Sequence, residues 1–368
     1  MKIPALDDAM FARGLVSAGM SEPLERFRAK LEKREPVVYA AIGGSITAGA
    51  LASDGERTSY AARFAAWLDE RAPCTFINAG LGATTSLFGA FRAQQDMLCR
   101  EPDIITIEFA VNDSINPDVA ASYEALVRQC VDSPKKPLVI LIFNPRRDGT
   151  NHQNEHIPVG RHYALPMLSF RDAIYPEIAA GKLRWEAISP DEVHPNDDGH
   201  AFIAALLERF VGSVSAPTGE AELPDLLNPG AAKYLGGKVL HAPQMEVVGN
   251  DGWTQFTHER GYVGWESERP GACLKVKLTG GTLLIGYVKY AGDYGMADVR
   301  IGGDTVCRLD GFYEKPEIQK WAGGHTVPVV LCDEAPGSSR VVEITVANER
   351  HAQSGGHRFQ ISYFLTAQ

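Results

Sequence analysis

The sequence predicts an α/β domain followed by an all-β domain, and three observations carry that reading. Up to Val211, short apolar runs alternate with stretches of helical period, the pattern of a parallel or mostly parallel sheet with helices on both faces. Beyond Val211 the helical period mostly disappears, and short strand-like runs are separated by Gly-, Asp- or Pro-containing turns. Several of these runs alternate: Lys275 and Lys277 fall between Leu274, Val276 and Leu278, which suits a strand with one buried and one wet face. The expected division is an α/β domain at residues 1–215, a linker rich in Pro, Gly, Ala and acidic residues at 216–237, and a β-sandwich or jelly roll at 238–368.

Taken in order, Ser21 is expected to cap a helix reaching about Glu32, with Leu24, Phe27 and Leu31 on one face. Val37 to Ala41, continued by Ile42, reads as a buried strand that Gly43-Gly44 stops, and Ser45 to Ala48 open a helix. Tyr60, Phe64, Trp67 and Leu68 form a helical stripe whose ordinary role is core packing. Cys74 to Asn78 is a second short strand, Gly80 and Gly82 mark a tight loop, and a helix follows to about Leu98. The run Asp103 to Phe109 is a third strand that delivers Ala110-Val111-Asn112-Asp113 into a loop. Asn116-Pro117 suits a cap and first-turn proline for a helix through Val131. Pro137 to Phe143 is another buried strand. A polar loop is expected from Asn144 to about Gly160, then a helical region to Leu183 that Pro166 and Pro176 bend or divide. The stretch Ser189 to His200 precedes the last helix, AFIAALLERFV.

Composition narrows the functional classes. With 368 residues, 45% hydrophobic and 22% charged, the chain is long for one core and comfortable for two domains. A formal charge of −10 without a long Lys/Arg run argues against a nucleic-acid partner. No 18-residue apolar stretch could span a membrane. The first twenty residues lack a long apolar segment and carry Asp7, Asp8 and Arg13, so the expected location is cytoplasmic. The six cysteines form no CxxC pair or Cys/His cluster, which points to neither a zinc site nor a redox pair.

Four stretches can meet at the carboxyl ends of the sheet strands: Gly43-Gly44-Ser45, Gly80-Leu81-Gly82, Asn112-Asp113 and Asp191 to His194. Acyl transfer is the chemistry that would unite them. A serine hydroxyl is a poor nucleophile until an imidazole takes its proton, and that imidazole must be held in one tautomer, usually by a carboxylate. Asp191 and His194 are close enough for one loop to position both. The negative oxygen formed on attack needs convergent donors, and Ser45 N–H, Gly82 N–H and the Asn112 amide are candidates. Gly80, only two residues from Gly82, competes for the glycine role. His200 is expected to cap or pack at the start of the last helix. No cofactor is required by this chemistry, and no carboxylate set suggests a metal.

Together these stretches resemble the signature of the GDSL or SGNH hydrolases. The family's GDS-x-x-x-G is matched by Gly43-Gly44-Ser45-Ile46-Thr47-Ala48-Gly49, its second motif by Asn78 to Thr84, its G-x-N-D by Ala110 to Asp113, and its D-x-x-H by Asp191 to His194. The resemblance implies a flavodoxin-like parallel sheet, Ser45 as nucleophile, Gly82 and Asn112 in the oxyanion site, and Asp191 and His194 completing a triad. Two positions depart from the pattern: Gly44 replaces the family's Asp, and Ala110 replaces the third-motif glycine.

A catalytic domain of this kind joined to a jelly-roll or carbohydrate-binding-like module resembles carbohydrate acetyl esterases. The substrate this implies is an O-acetylated oligosaccharide, of mannan type ahead of xylan type, with Gly44, Arg146, Arg147, Trp253 and Trp265 as candidate contacts. Tyr287, Tyr290, Tyr294, Tyr313 and Trp321 are further aromatics that could stack on sugar, although each is as well suited to a core. The alternatives are a short-chain esterase or lysophospholipase, a sugar O-acyltransferase, and an inactive glycan-binding protein. The sequence leaves a homo-oligomer open, as it does whether the β-domain completes an active site in its own chain or a neighbour's.

Overall fold

Apolar runs too short for helices build the first sheet. The computed structural model describes residues 5–219, 223–258, 260–314, 328–333 and 337–367; Trp321 lies outside the described residues. Contacts divide the chain into units at residues 1–232 and 233–368.

The first unit runs α1 (Asp8–Gly14), β1 (Leu15–Ala18), α2 (Ser21–Glu32), β2 (Val37–Gly43), α3 (Ser45–Ala48), α4 (Tyr60–Asp69), β3 (Cys74–Gly80) and α5 (Ser86–Asp96). It continues through β4 (Ile104–Glu108), α6 (Val119–Val131), β5 (Leu138–Phe143), α7 (Gln153–His162), β6 (Pro166–Ser169), α8 (Phe170–Ala179), α9 (Trp185–Ile188) and α10 (Asp197–Ser213). The sheet order is β1-β6-β5-β4-β2-β3. Every pairing is parallel except that of β1 with β6. Every residue of β4 and β5 is buried, as expected for strands covered on both faces. The order of the parallel strands reverses between β2 and β4, so a crevice opens beyond their carboxyl ends.

Four local expectations change. Asn116 does not cap α6: its Oδ1 accepts the Asp118 amide at 3.0 Å, closing a turn that moves the N-cap to Asp118. Ser21 is the buried first residue of α2 and Met20 its N-cap. Part of the expected polar loop is α7, which buries Gln153, His156, Val159 and Gly160; polar residues on its inner face hide the helical period. Pro166 begins strand β6 rather than bending a helix, a position where its missing N–H is tolerated. The chain before Ser21 supplies both α1 and the antiparallel edge strand β1.

After α10, the chain is fastened to α6 and α7. Glu124, fully buried, accepts the amides of Leu227 and Asn228 at 2.6 Å each and the Tyr163 hydroxyl at 2.9 Å. Arg128 Nη1 donates to Pro224 O at 2.5 Å. Three donors on one carboxylate offset the cost of burying its charge.

In the second unit the described strands pair antiparallel. Its strands are β7 (Lys238–Leu240), β8 (Glu246–Asp251), β9 (Thr254–Thr257), β10 (Val263–Ser267), β11 (Cys273–Thr279) and β12 (Thr282–Tyr287). They continue with β13 (Met296–Ile301), β14 (Asp304–Asp310), β15 (Pro328–Asp333), β16 (Ser339–Val346) and β17 (Phe359–Ala367). One sheet has the order β15-β12-β17-β10-β9 with β7 also on β17, and the other β14-β13-β16-β11-β8. Leu283, Ile285, Phe359 and Ile361 of one share a core with Leu274, Val276, Val342 and Ile344 of the other. Along β11 the alternation holds: Leu274, Val276 and Leu278 point inward. Lys275 and Lys277 point outward and pair across the strands with Glu343 at 3.0 Å and Glu246 at 3.2 Å.

One buried acid of the first unit gives a stability test. Glu108 ends β4 fully buried, and neither carboxyl oxygen accepts a hydrogen bond. Desolvation pushes its pKa up to about 8; the Asn144 amide and Thr47 hydroxyl draw it partly back without completing hydrogen bonds. The folded protein therefore keeps the proton that the unfolded chain releases near 4.5. Stability should fall as pH rises between those values, by about 1 kcal/mol per pH unit from this group. Glu108→Gln should remove that slope in denaturant titrations at about pH 5, 6.5 and 8, whereas equal slopes in both proteins would reject a protonated Glu108.

Candidate active site

The β2 strand runs into Gly43 and Gly44, and the chain turns at once into α3, so Ser45 opens a helix at the carboxyl edge of the sheet. Both sides of the turn are crowded. A Cβ on Gly43 would lie 2.1 Å from Thr47 Oγ1 and 2.5 Å from Glu108 O, and one on Gly80 would lie 2.3 Å from Ala48 N. Asn78 steadies the same corner, its Nδ2 donating to Thr47 O at 3.0 Å and its Oδ1 accepting Gly80 N at 2.9 Å. Gly43 O accepts from Leu81 N at 3.0 Å and from buried Arg92 Nη2 at 3.1 Å. Gly80 is thus engaged in packing and in the Asn78 bond. Gly82 faces the serine instead: a Cβ there would sit 3.5 Å from that of Ser45.

From the other end of the domain, the loop before α10 brings Asp191 and His194 to the same serine. Ser45 Oγ lies 2.8 Å from His194 Nε2, and His194 Nδ1 lies 2.7 Å from Asp191 Oδ2. Asp191 Oδ1 accepts the backbone amides of Val193 at 2.7 Å and His194 at 2.6 Å. Burial by itself raises the Asp191 pKa, but the bonds from the His194 ring and these two amides outweigh it and hold the carboxyl below its ordinary value. An ionised carboxylate only accepts, so Nδ1 carries the ring proton and Nε2 is left to accept the Ser45 hydroxyl. The loop itself is pinned by Trp185 Nε1 on Asp191 O at 2.7 Å and by Ser189 Oγ on His194 O at 2.7 Å.

Asn112 follows β4, across the switch point from Ser45. Its amide is packed against Gly44. Its neighbour Asp113 points inward and accepts Ser86 N at 2.8 Å and His156 Nε2 at 2.8 Å. Asp113 and His156 side chains are fully buried, and the imidazole stacks on Tyr123 with centroids 3.6 Å apart. No local pattern in the sequence signals this pair, whose members lie 43 positions apart. His200 is buried at the start of α10, where its Nδ1 accepts Tyr60 N at 3.2 Å. Burial lowers its pKa to about 4, which keeps the ring neutral.

The candidate substrate contacts fare differently. Arg146 donates to Val111 O at 2.7 Å and Ser114 Oγ at 2.8 Å, which braces the Asn112 loop. Arg147 donates its amide to Glu192 O at 2.8 Å and pairs with Glu186 and Glu192, which braces the Asp191–His194 loop. Tyr175 Oη donates to both arginine carbonyls. In the structure these side chains brace loops, and that of Arg147 is also 45% exposed. The structure corrects the reading of Trp253 as a sugar contact: 3% exposed and set in the core of the second unit, its ring presents no face to a sugar. Trp265 packs against that same core and its indole nitrogen is covered, so hydrophobic packing decides its place. Gly44 contributes no side chain and stands beside Asn112. Among the described residues, no three His, Cys, Asp or Glu side chains gather to hold a metal ion, and no helix is long and apolar enough to cross a membrane.

Residues 41–202 match the GDSL-like Lipase/Acylhydrolase family. The chain is also similar in structure to a two-domain esterase (CEX) active on acetylated mannans, co-crystallized with mannopentaose. The two are 28% identical, the match covers 97% of this chain and 98% of that one, and the TM-score is 0.83. A second structure of a two-domain esterase (CEX) active on acetylated mannans gives the same identity and coverage with a TM-score of 0.82. No curated protein sequence matches the chain. The turn that carries Ser45, the Asn112 loop and the Asp191–His194 loop all fall inside the segment that matches this family model.

Proposed function

We propose that the protein is a serine esterase that removes acetyl groups from O-acetylated carbohydrate, with mannan-derived oligosaccharides as the foremost substrates. The observation that carries the chemistry is the hydrogen-bonded chain from Ser45 Oγ through His194 to Asp191. The substrate class rests on the likeness, over nearly the whole of both chains, to an esterase active on acetylated mannans.

In this reading His194 Nε2 takes the Ser45 proton as Oγ attacks the acetyl carbonyl. The Asp191 carboxylate stabilises the imidazolium that forms and keeps its Nδ1–H directed inward. The new oxyanion is met by the amides of Ser45 and Gly82 and by the Asn112 side chain, donors that add no charge to the resting site. His194 then returns the proton to the leaving sugar hydroxyl, and a water activated by the same Nε2 releases acetate from the acyl-enzyme. No cofactor takes part. The second unit is proposed to act on the carbohydrate side of recognition.

Ser45→Ala should lose roughly 10⁴-fold or more in kcat on an acetyl ester with an unchanged melting temperature, and His194→Ala should match it. Asp191→Ala is expected to retain more activity than either. Full turnover by Ser45→Ala would sink the nucleophile assignment. With a panel of acetylated mannan, xylan and pectin oligosaccharides, mass spectrometry and NMR should show mannan acetyls leaving fastest. Octanoyl esters cleaved faster than matched acetyl esters would instead point to a lipid or general acyl substrate.

A further inference from the structure

We infer that Gly44 is a positioning residue for Asn112: the chain leaves position 44 without a side chain because the Asn112 amide occupies that space. The inference rests on the reading of Asn112 as an oxyanion donor. A left-handed backbone is not the reason for glycine here, since φ at Gly44 is −86°. The obstacle is one amide. A Cβ on Gly44 would lie 2.3 Å from Asn112 Oδ1, 2.7 Å from its Cγ and 2.8 Å from its Nδ2. Those are the three nearest atoms, and all belong to the group that would receive the developing charge.

Two further observations decide which partner yields. Gly44 is tied at both ends of its peptide unit: its N–H donates to Glu108 O at 3.3 Å, and its carbonyl accepts Ala48 N at 3.1 Å. Asn112 Oδ1 is buried and accepts no hydrogen bond. The amide is therefore held by packing on its oxygen side, with no bond there to resist displacement. Because the clash falls on the far end of a flexible side chain, an added methyl group moves Asn112 while the strand, the turn and Ser45 stay in place. Glycine at this position, where the family pattern has Asp, is matched to the seat of the amide in this chain.

The test is a double-mutant cycle on Gly44→Ala and Asn112→Ala with an acetyl ester, alongside thermal melts. Gly44→Ala should melt close to wild type and lose about 10²-fold in kcat with KM within about threefold, the signature of an interaction made in the transition state. Asn112→Ala should lose about as much, and the double variant should be no slower than Asn112→Ala, because the methyl group then has no amide to displace. Wild-type kcat in Gly44→Ala, or a double variant slowed by the product of the two single losses, overturns the inference. Wild-type kcat in Asn112→Ala overturns it together with the donor reading, whereas an active Ser45→Ala removes the esterase reading itself. Should Gly44→Ala fail to fold, the double variant decides: folding with the kcat of Asn112→Ala supports the pairing, and failure to fold makes Gly44 a folding residue and overturns it.

Discussion

Close approach of backbone to backbone at the carboxyl edge of the parallel sheet is the constraint on which the active-site geometry depends. The β2 and β4 strands diverge into different crossovers there, which makes the crevice beyond their carboxyl ends the place where a site is expected in a sheet of this order. Ser45 reaches that crevice because the turn beneath it is built without side chains. Gly43 lets the Glu108 carbonyl and Thr47 close in, and Gly80 lets β3 pass against the first turn of α3. With a Cβ at either position the short helix would have to lift away from the sheet. Its amide hydrogens and the serine hydroxyl would then no longer share the mouth of the crevice.

The parallel strands were legible in the sequence because burial on both faces demands unbroken apolar runs, and β2, β4 and β5 have them. The four motif stretches were legible for a related reason: glycine at a crowded turn and an Asp two residues before a Val-His pair have few other uses in one loop. Elements whose inner face is polar escaped. The α7 helix turns Gln153 and His156 inward, so hydrophobic period is a poor guide to it, and β6 begins with a proline that elsewhere would signal a helix break. A polar loop looks the same in sequence whether its charges face a ligand or neighbouring loops, and the partners that the arginine pair holds, Val111 O, Ser114, Glu186 and Glu192, come from parts of the chain no local pattern connects to it. Trp253 and Trp265 show the corresponding limit for aromatics, which serve a core as readily as a sugar.

Residues brought from distant parts of the chain hold the catalytic loops from behind. Arg146 and Arg147 are adjacent, yet one fastens the Asn112 loop and the other the Asp191–His194 loop, while Tyr175 ties the two arginine carbonyls. The turn they share therefore links the Asn112 loop to the Asp191–His194 loop, the oxyanion side and the base side in the proposed mechanism. The buried Asp113–His156 pair supports the first of these loops from within the domain, through the start of α5. A nucleophile and base on separate loops need such support, since small misplacements of reacting groups are costly to rate.

Electrostatics complete the arrangement through two carboxyl groups that the fold treats oppositely. Asp191 is partly exposed and accepts three hydrogen bonds, so it stays ionised and can stabilise a positive imidazole. Glu108 lies under the serine turn with no hydrogen bond to either oxygen, and desolvation keeps it neutral. A second negative charge beneath Ser45 would oppose the oxyanion of the proposed mechanism, because charges are poorly screened in a dry interior. Burying an acid without partners is costly to stability above the ordinary carboxyl pKa. In the proposed mechanism it also leaves Asp191 as the carboxylate whose charge is matched, through His194, to the serine that loses a proton.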